Sequence, residues 1–360
     1  MGARLPGALR ATAPGARVIA SLVLGIETSC DETAAAVVDA AFRVRSNVIA
    51  SQADLHRRFG GVVPELAARH HVERLPAVLD EALEQAGVDL RAITAVAVTC
   101  GPGLVGSLSV GVAAAKALAY TRGCPLVGVN HLEGHVYANR LTGAPWTLPA
   151  VALIVSGAHT DLVHMPGERR YRVLGRTRDD AAGEAFDKIA RAMGLGYPGG
   201  PRLDRLAEEG DPDALPFPPA FLDGGEEFSF SGLKTAALRL WRAGPQEDDV
   251  FRRHFAAGFR RAVVEALVTK LFRAVDRLRP RTVMLAGGVA ANALLRRRVA
   301  AEAARRDLPV LIPPPVLCTD NAAMIAAAGL VRLAQGERDD LRLGAAADLP
   351  LDGAGEVDPS

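Results

Sequence analysis

The sequence predicts an α/β protein built from two related lobes. Its 360 residues exceed one ordinary domain, and 49% hydrophobic against 23% charged residues is typical of soluble globular proteins. A strand, a polar turn and a second strand open the chain, and the same unit begins again at Ala150. Helical and strand patterns then alternate in both halves, which is the order of an α/β fold. Disordered, coiled-coil and collagen-like classes are excluded.

The first half begins with a predicted β-hairpin, in which strands Leu22–Glu27 and Ala34–Asp39 flank the turn Thr28–Thr33. Helical spacing of apolar residues and continuous apolar runs predict the elements that follow. These are helix Glu65–Ala86, strand Ile93–Thr99, helix Ser107–Thr121 and strand Leu126–Val129.

The second half repeats the hairpin with strands Ala150–Val155 and Leu162–Met165 around the turn Ser156–Asp161. The remaining predicted elements are helix Ala182–Met193, helix Phe251–Leu278, strand Thr282–Ala286, helix Asn292–Arg306, strand Val310–Ile312 and helix Asn321–Leu333. The segment Glu208–Glu227 is rich in Pro, Gly and acids and lacks periodicity, which predicts an irregular loop.

The predicted boundaries divide the chain into four parts. They are an extension at residues 1–21, a first lobe at 22–145, a second lobe at 146–335 whose last helix packs back on the first lobe, and a tail at 336–360. Leu141–Pro149 is the best linker candidate. The extension carries three arginines and no acid, as mitochondrial transit peptides do. A disordered extension and a start codon placed too early are the alternatives.

Charge and cysteine content restrict the class of protein further. Lys and Arg number 42 against 41 Asp and Glu, so bulk charge gives no argument for nucleic-acid or membrane binding. No apolar run approaches the roughly 18 residues of a membrane span, so no membrane association is expected. The four cysteines show no C-x-x-C spacing, which favours a reducing compartment. We expect a cytoplasmic protein, or a mitochondrial one if the extension is a transit peptide.

Two histidines lie four positions apart in His131-Leu-Glu-Gly-His135, about 40° apart around a helix, so both can chelate one metal. Glu133 lies about 200° away from His131, whereas a metalloprotease H-E-x-x-H helix places its glutamate beside the first histidine. Asp320, just before a helix, is the candidate third ligand. The alternative is a capping histidine pair with Asp320 as an ordinary N-cap.

The segment Cys100-Gly-Pro-Gly-Leu-Val-Gly106 contains the letters of a dinucleotide fingerprint between a strand and a helix. Pro102 removes a backbone donor from that turn, and the next strand ends at Asn130 instead of an acid that would hold a ribose. We therefore interpret this segment as a tight turn that supports a neighbouring site.

Other turns have the composition of ligand cradles. The hairpin turns Thr28–Thr33 and Ser156–Thr160 occupy equivalent places in the two lobes, where they can enclose a phosphate or simply be well-bonded turns. Gly287 and Gly288 precede Asn292 at the end of a strand, an arrangement that suits a nucleoside. Asp187 is a candidate for hydroxyl recognition, with surface charge as the alternative.

Arginines form three clusters that permit, without demonstrating, a footprint for an RNA backbone. The clusters are Arg169, Arg170, Arg172, Arg176 and Arg178; Arg252, Arg253, Arg260 and Arg261; and Arg296–Arg298.

Seven motifs, several of them described above, occur together and in order between about residues 22 and 335. They are Gly25-Ile-Glu-Thr-Ser-Cys-Asp-Glu32, Gly60-Gly-Val-Val-Pro-Glu65, Gly101-Pro-Gly-Leu-Val-Gly106, His131-Leu-Glu-Gly-His135, Gly183-Glu-Ala-Phe-Asp-Lys188, Phe228-Ser-Phe-Ser-Gly-Leu-Lys234 and Cys318-Thr-Asp-Asn321. With them the chain resembles the TsaD family of tRNA N6-adenosine threonylcarbamoyltransferases, bacterial type, formerly called glycoproteases. The resemblance implies a two-lobed actin-like ATPase fold, as in sugar kinases, Hsp70 and actin (the ASKHA fold).

The resemblance also implies an activity. The threonylcarbamoyl group of threonylcarbamoyl-AMP moves to N6 of adenosine 37 in tRNAs that read ANN codons, and AMP leaves. It implies the metal ligands His131, His135 and Asp320, with iron as the usual metal and zinc as the alternative. A metal with open positions suits acyl transfer because it can polarise a carbonyl.

Family substrate-binding positions carry over by resemblance to Ile154, Val155, Ser156, Gly157, Ala158, Asp187, Gly200, Asp204 and Asn292. The family usually has a second glycine where this chain has Ala158. If that position requires a positive φ or lies against phosphate, the methyl group costs about 1 kcal/mol or moves the turn slightly. Glu32, in the opposing turn, is expected to support catalysis by orienting the amine or a water.

The resemblance implies partners besides tRNA: an adenylate-forming synthase, an inactive TsaB-like paralogue and a TsaE-like P-loop ATPase. The alternatives are a metalloprotease, an actin-like ATPase or kinase without RNA chemistry, and a non-enzymatic scaffold that binds an adenylate. The inactive paralogue lacks the metal ligands, whereas all three are present here.

Overall fold

The computed structural model describes residues 21–220 and 224–352. The predicted extension at residues 1–21 lies outside the described residues apart from Ser21, and the last eight residues of the predicted tail also lie outside them.

The first lobe is built on a five-stranded sheet in the order β3-β2-β1-β4-β5. Its elements are β1 (Leu22–Glu27), β2 (Glu32–Asp39), β3 (Val44–Ser51), α1 (Ala53–Arg57), α2 (Pro64–Ala86), β4 (Ala95–Gly101), α3 (Val105–Arg122), β5 (Leu126–Asn130) and α4 (His131–Tyr137), with short 3₁₀ turns at Leu90–Ala92 and Ala138–Thr142. Strand β1 pairs antiparallel with β2 and parallel with β4.

The second lobe repeats this plan in a sheet of order β10-β9-β6-β7-β8. Its elements are β6 (Ala150–Val155), β7 (Thr160–Gly167), β8 (Arg170–Arg176), α5 (Ala182–Ala192), α6 (Gly200–Ala207), α7 (Ser231–Ala243), α8 (Asp249–Leu278), β9 (Thr282–Ala286), α9 (Ala293–Ala304), β10 (Val310–Leu311), α10 (Pro315–Cys318) and α11 (Ala322–Ala334), with a 3₁₀ turn at Gly288–Ala291. Strand β6 pairs antiparallel with β7 and parallel with β9, so the predicted duplication is confirmed.

Helices cover both faces of each sheet, as the continuous apolar runs of β1, β4, β6 and β9 require. On the first sheet, Leu24 and Ile26 face the cluster under α2 and α3, while Val23 faces α11. Gly25 permits that second contact, because a Cβ there would collide with the carbonyl oxygen of Ala322. Although α11 follows the second lobe in sequence, it therefore packs on the first, and the site lies where the two halves meet.

The sequence analysis missed β3, α1, α6, α7, β8 and α10, and it placed the last residues of both hairpin turns outside the strands β2 and β7 to which they belong. Glu32 and Thr33 belong to β2 and not to the turn, because they pair with Ser51 and Ala50 of β3, a half-exposed edge strand whose pattern is weak. Strand β8 was interpreted only as a cluster of arginines, since its alternate residues are charged and exposed. Helix α7 was missed because it directly follows the irregular segment before Phe228.

Two further findings concern the whole chain. Among the residues that the structure describes, no helix is both long and apolar enough to cross a membrane. Residues 336–352, part of the predicted tail, form no helix yet make backbone hydrogen bonds to the first lobe, for example from Asp339 N to Leu126 O at 2.8 Å.

Candidate metal centre

Two buried imidazoles face one another on the short helix α4. Asn130 ends β5 and caps this helix, since its Oδ1 accepts hydrogen bonds from the amides of Leu132 at 2.9 Å and Glu133 at 3.4 Å. The ring centroids of His131 and His135 are 4.6 Å apart. The i, i+4 spacing therefore places both rings on one side of α4, as predicted.

Asp320 completes the cluster from a distant part of the chain. Its Oδ1 lies 3.5 Å from His131 Nε2 and 3.2 Å from His135 Nε2. Asp320 lies between α10 and α11, but the N-cap of α11 is Asn321, whose side chain accepts from Met324 N at 3.0 Å. The interpretation of Asp320 as an ordinary N-cap is therefore wrong, and its carboxylate is available to the histidines.

Glu27, at the end of β1, lies behind His131. Its Oε2 is 3.1 Å from His131 Nδ1, and the hydroxyl of Thr99 donates to the same oxygen at 2.6 Å. The amide of Ser29 donates to Oε1 at 2.5 Å. Because a buried carboxylate accepts from Nδ1–H, the ring is oriented with Nε2 directed toward Asp320.

Burial and charge shift the pKa of each group in this cluster. Burial opposes the charged forms of His131 and Asp320, but their mutual attraction outweighs it, raising the pKa of His131 and lowering that of Asp320. Attraction to His131 lowers the pKa of Glu27, although burial and the nearby charge of Asp320 oppose this shift. Burial lowers the pKa of His135, which favours its neutral form.

The donor set fits a divalent metal. The ligand atoms of His131, His135 and Asp320 all lie within 4.8 Å of one another. His135 is fully buried, yet neither of its ring nitrogens makes a hydrogen bond of good geometry with another described residue. An unsatisfied buried imidazole is costly unless something else satisfies it, and two imidazoles with one carboxylate suit iron or zinc.

Glu133 points away from this cluster, as its helical phase predicts. Its buried carboxylate pairs with Arg169 at 2.9 Å and Arg332 at 2.7 Å, and Tyr171 donates to it at 3.1 Å. A carboxylate held by two arginines is a poor general base, which argues against the chemistry of an H-E-x-x-H protease.

The turn between β6 and β7 contains His159, which is close enough to the candidate metal centre for the charges there to shift its pKa. Burial and the nearby charges of His131 and His135 lower the pKa of His159 to about 4. Ser156 organises the turn, since its Oγ accepts from Ala158 N at 3.3 Å and His159 N at 3.1 Å. Ile154 and Val155 are buried in β6, whereas Gly157 and Ala158 are exposed.

The backbone of Ala158 shows none of the strain that a positive φ would cause, and the cost of a methyl group against phosphate stays a prediction. The φ of Ala158 is not positive, so the backbone conformation needs no glycine. The close approach in this turn lies at Gly183 of α5 instead, where a Cβ would be 2.5 Å from the carbonyl oxygen of Ser156.

The other predicted substrate-binding residues form two pairs in the second lobe. Asp187 Oδ1 accepts from the amides of Gly199 at 2.9 Å and Gly200 at 3.0 Å, and burial raises the pKa of Asp187. Asp204 Oδ1 accepts from Asn292 Nδ2 at 2.7 Å. The Oδ1 of Asn292 caps α9, so this side chain is less free for a ligand than the sequence suggests.

Residues of the first-lobe turn line the other side. Tyr197, beside the glycines held by Asp187, donates its hydroxyl to Asp31 Oδ2 at 3.2 Å, which joins the two lobes. Burial and the negative charges of Asp31 and Asp320 raise the pKa of Glu32 well above its usual value. The first-lobe turn is thus in contact with the loop before α6 of the second lobe, and the predicted opposition of the two hairpin turns stays a prediction.

The Gly101–Gly106 turn supports this region, as expected. Leu104 N donates to Ser29 O at 2.8 Å, and a Cβ on Gly103 would lie 2.7 Å from the same oxygen. Of the arginine clusters, Arg260 is buried and pairs with Asp204 at 2.9 Å. It is therefore unavailable to an RNA backbone.

Sequence reasoning missed Glu27, His159 and the capping of α4 by Asn130. Glu27 carried a signal, because it is the only charged residue in the apolar strand Leu22–Glu27. His159 lay within a quoted motif without an assigned role, and its proximity to the other histidines depends on how the two lobes pack.

Solved structures with low sequence identity share this fold. HypF from T. kodakarensis superimposes with a TM-score of 0.58 at 12% identity, covering 88% of this chain and 48% of HypF, so this chain spans about half its length. The (R)-2-hydroxyglutaryl-CoA dehydratase component A of Acidaminococcus fermentans gives 0.52 at 12% identity, covering 88% and 99% of the two chains. The predicted two-lobed actin-like ATPase fold is confirmed.

Sequence comparisons identify the family. The family model described as TsaD, tRNA N6-adenosine threonylcarbamoyltransferase, matches residues 43–327. A curated protein of that name from Symbiobacterium thermophilum is 57% identical over 331 residues, covering 92% of this chain and 97% of the relative. Another from Geobacillus thermodenitrificans is 56% identical, covering 91% and 96%. The chain therefore belongs to the TsaD family of tRNA N6-adenosine threonylcarbamoyltransferases.

Proposed function

We propose that this chain transfers the threonylcarbamoyl group of threonylcarbamoyl-AMP to N6 of adenosine 37 in tRNAs that read ANN codons. The exocyclic amine forms a bond to the carbamoyl carbon, the bond from that carbon to the phosphate oxygen of AMP breaks, and the amine loses a proton. The family match over most of the chain supports the reaction. The observation that carries the proposal to a site is the convergence of His131, His135 and Asp320, with Ser29 of the first-lobe turn 3.2 Å from His131 Nδ1.

We propose that these three residues hold one divalent metal, with Fe²⁺ as the first candidate and Zn²⁺ as the second. A metal so held supplies Lewis-acid polarisation of an acyl carbonyl. Glu27 orients His131 through Nδ1, and His135 contributes a neutral imidazole because burial lowers its pKa.

The remaining residues bind and orient the substrates. The exposed turn at Gly157 and Ala158, with Ile154, Val155 and Ser156 behind it, faces the adenylate. Asp187 orients the backbone amides of Gly199 and Gly200. Asp204 and Asn292 are hydrogen-bonded to each other and together bind the nucleoside. The raised pKa of Glu32 favours its protonated form, in which it supports the reaction by donating a hydrogen bond to the amine or a water.

The rival functions lack comparable support. A peptidase of the H-E-x-x-H type needs a free glutamate, and Glu133 is held by Arg169 and Arg332. The likeness to HypF and to the dehydratase component concerns the fold alone, and folds of this kind carry many activities.

We further propose that the enzyme works with an adenylate-forming synthase, a TsaB-like inactive paralogue and a TsaE-like P-loop ATPase in the cytoplasm. A reactive acyl adenylate favours a neighbouring synthase that passes it on before hydrolysis. The four cysteines form no disulfide, which agrees with a reducing compartment.

Labelled threonine tests the reaction. Purified chain, the three bacterial partner proteins, tRNA, ATP, bicarbonate and [¹⁴C]threonine are incubated, and the label in precipitated tRNA is counted. We expect labelling that depends on this chain and falls at least about 100-fold with Asp320→Ala, which removes a metal ligand. Asp340→Ala is the matched control, because Asp340 is exposed and pairs only locally with Arg342.

Two outcomes would contradict different parts of the proposal. No labelling above the reaction without this chain, while the synthase makes adenylate, refutes the transferase function. Full labelling by Asp320→Ala refutes the role of the metal and leaves the transferase function standing.

A further inference from the structure

The segment after α11 follows a fixed course along the first lobe. Asp339 N donates to Leu126 O at 2.8 Å, and Gly128 N donates to Asp339 Oδ2 at 2.7 Å. Both partners belong to β5, the outermost strand of the first sheet. The segment therefore satisfies backbone groups that an edge strand would otherwise leave to solvent.

The segment then closes around the glycine turn that follows β4. Ala346 N donates to Cys100 O at 2.8 Å, and Gly103 N donates to Ala347 O at 3.1 Å. Leu343 and Leu349 pack against the apolar cluster of the first lobe. These contacts define residues 339–352 as a strap, which we call the C-terminal strap.

The C-terminal strap reaches the metal-binding helix through Asn130. The side-chain amide of this residue donates to Leu349 O at 2.9 Å and to Pro350 O at 3.3 Å. The other end of the same side chain caps α4 through Oδ1. Asn130, which is only 5% exposed, thus joins the strap directly to the first turn of the helix that carries His131.

Beyond Asn130 the strap crosses to the second lobe. Leu351 is 6% exposed and belongs to the same apolar cluster as Leu132 and Val136 of α4. Asp352 then pairs with Arg176 of β8 at 3.0 Å. The strap is therefore hydrogen-bonded to the residue that caps α4, shares an apolar cluster with two residues of that helix, and ends on the opposite lobe.

A helix as short as α4 does not hold its own position. Its seven residues make two turns, and isolated helices of that length are unstable in water, so capping and packing decide where it lies. Metal ligands tolerate displacements of only about 0.2 Å in distance. Groups that position the helix should consequently affect metal affinity.

We propose that the C-terminal strap positions α4, and with it His131 and His135, for metal binding, with Asn130 as the positioning residue between them. This inference rests on the proposed metal site. It assigns a role in metal binding to Leu351 and Asn130, although neither residue is one of the candidate metal ligands.

Binding of Co²⁺ tests the proposal without any assay of activity. The dissociation constant is measured by competition with a chromophoric chelator, and the visible absorption of the complex reports ligand geometry. We expect Leu351→Ala to weaken Co²⁺ binding at least about tenfold, by analogy with the 10–100-fold effect of groups that orient metal ligands. Leu341→Ala is the matched control, since Leu341 is 50% exposed in the same strap.

Asn130→Ser gives an independent variant. Serine still caps the helix but is too short to reach the carbonyl groups of Leu349 and Pro350, so the link to the strap is lost while the cap remains. We expect this variant also to weaken Co²⁺ binding about tenfold and to alter the absorption spectrum. Thermal unfolding of the metal-free proteins identifies the temperature range in which every variant is folded for the binding measurement.

Two results would overturn the proposal, and they are distinguishable. Wild-type affinity and spectrum in both Leu351→Ala and Asn130→Ser, with only a lower unfolding temperature, would show that the strap stabilises the fold without positioning the ligands. No Co²⁺ binding by the wild-type chain would overturn the proposed metal site, and the role of the strap with it.

Discussion

Replacing Glu27 with glutamine changes one atom of a buried carboxylate that three donors share. His131 Nδ1 and the Thr99 hydroxyl lie 3.1 and 2.6 Å from Oε2, and Ser29 N lies 2.5 Å from Oε1. A glutamine offers one oxygen and one NH₂ group, so either the amide of Ser29 or the Nδ1–H of His131 loses its acceptor. Because the residue is 1% exposed, water cannot replace the lost partner.

The expected magnitude follows from these contacts. A charge-assisted hydrogen bond to the imidazole becomes a neutral one, which is about half as strong. Loss of a partner that orients a metal-ligating histidine costs about 10–100-fold in affinity, or about 1.4–2.8 kcal/mol. The unsatisfied donor lowers the free energy of unfolding of the metal-free protein by about 1–3 kcal/mol.

Metal competition and urea unfolding measure the two effects separately. Zn²⁺ affinity is determined with a chromophoric chelator for wild type and Glu27→Gln, with Glu73→Gln on the exposed face of α2 as the control. We expect a loss only in Glu27→Gln. Unchanged Zn²⁺ affinity in that variant would refute the reasoning that Glu27 orients His131.

Three further predictions concern the turns and the second lobe. Gly183→Ala should lower the free energy of unfolding by about 1–3 kcal/mol, because its Cβ would lie 2.5 Å from Ser156 O. Gly232→Ala is the control, since Gly232 is also the second residue of its helix and a Cβ there would meet nothing within 4 Å. Equal urea midpoints of the two variants would contradict this prediction. Ala158→Gly should leave tRNA labelling within about twofold and should not raise the free energy of unfolding, because the φ of Ala158 is not positive. A free energy of unfolding higher by about 1 kcal/mol in this variant would show that the alanine is strained. Burial raises the pKa of Asp161 to about 6, so the folded state binds its proton more tightly than the unfolded state. Between about pH 4 and pH 6, rising pH should therefore cost wild type up to about 3 kcal/mol of stability relative to Asp161→Asn, and parallel denaturation curves across pH would contradict this.

The repeated hairpins and the helix spacing were predictable because they depend on local patterns. Strands Leu22–Glu27 and Ala150–Val155 are continuous apolar runs, and they were placed at their observed bounds. The i, i+4 spacing of His131 and His135 likewise fixes their common face on any α-helix. Strand β3 escaped prediction because an edge strand is half exposed and lacks a strong period.

The contacts between distant segments could not be predicted from spacing. Glu27 and His131 are 104 positions apart, and Asn130 meets Leu349 across 219 positions. The first pair depends on how β1 and β5 are arranged in the first sheet, and the second depends on how the C-terminal strap packs on the first lobe. The sequence predicted that Asn292 binds a ligand. Only the fold reveals that its side chain already caps α9 and donates to Asp204.

The mass of the modified nucleoside tests the central claim most directly. The reconstituted reaction is run with uniformly ¹³C-labelled threonine on two transcripts that differ only in adenosine or guanosine at position 37, and the digested nucleosides are analysed by mass spectrometry. We expect threonylcarbamoyladenosine carrying the labelled threonine, formed only with adenosine 37 and only when this chain is present. Unmodified adenosine 37 in the presence of adequate threonylcarbamoyl-AMP and all partner proteins would contradict the account.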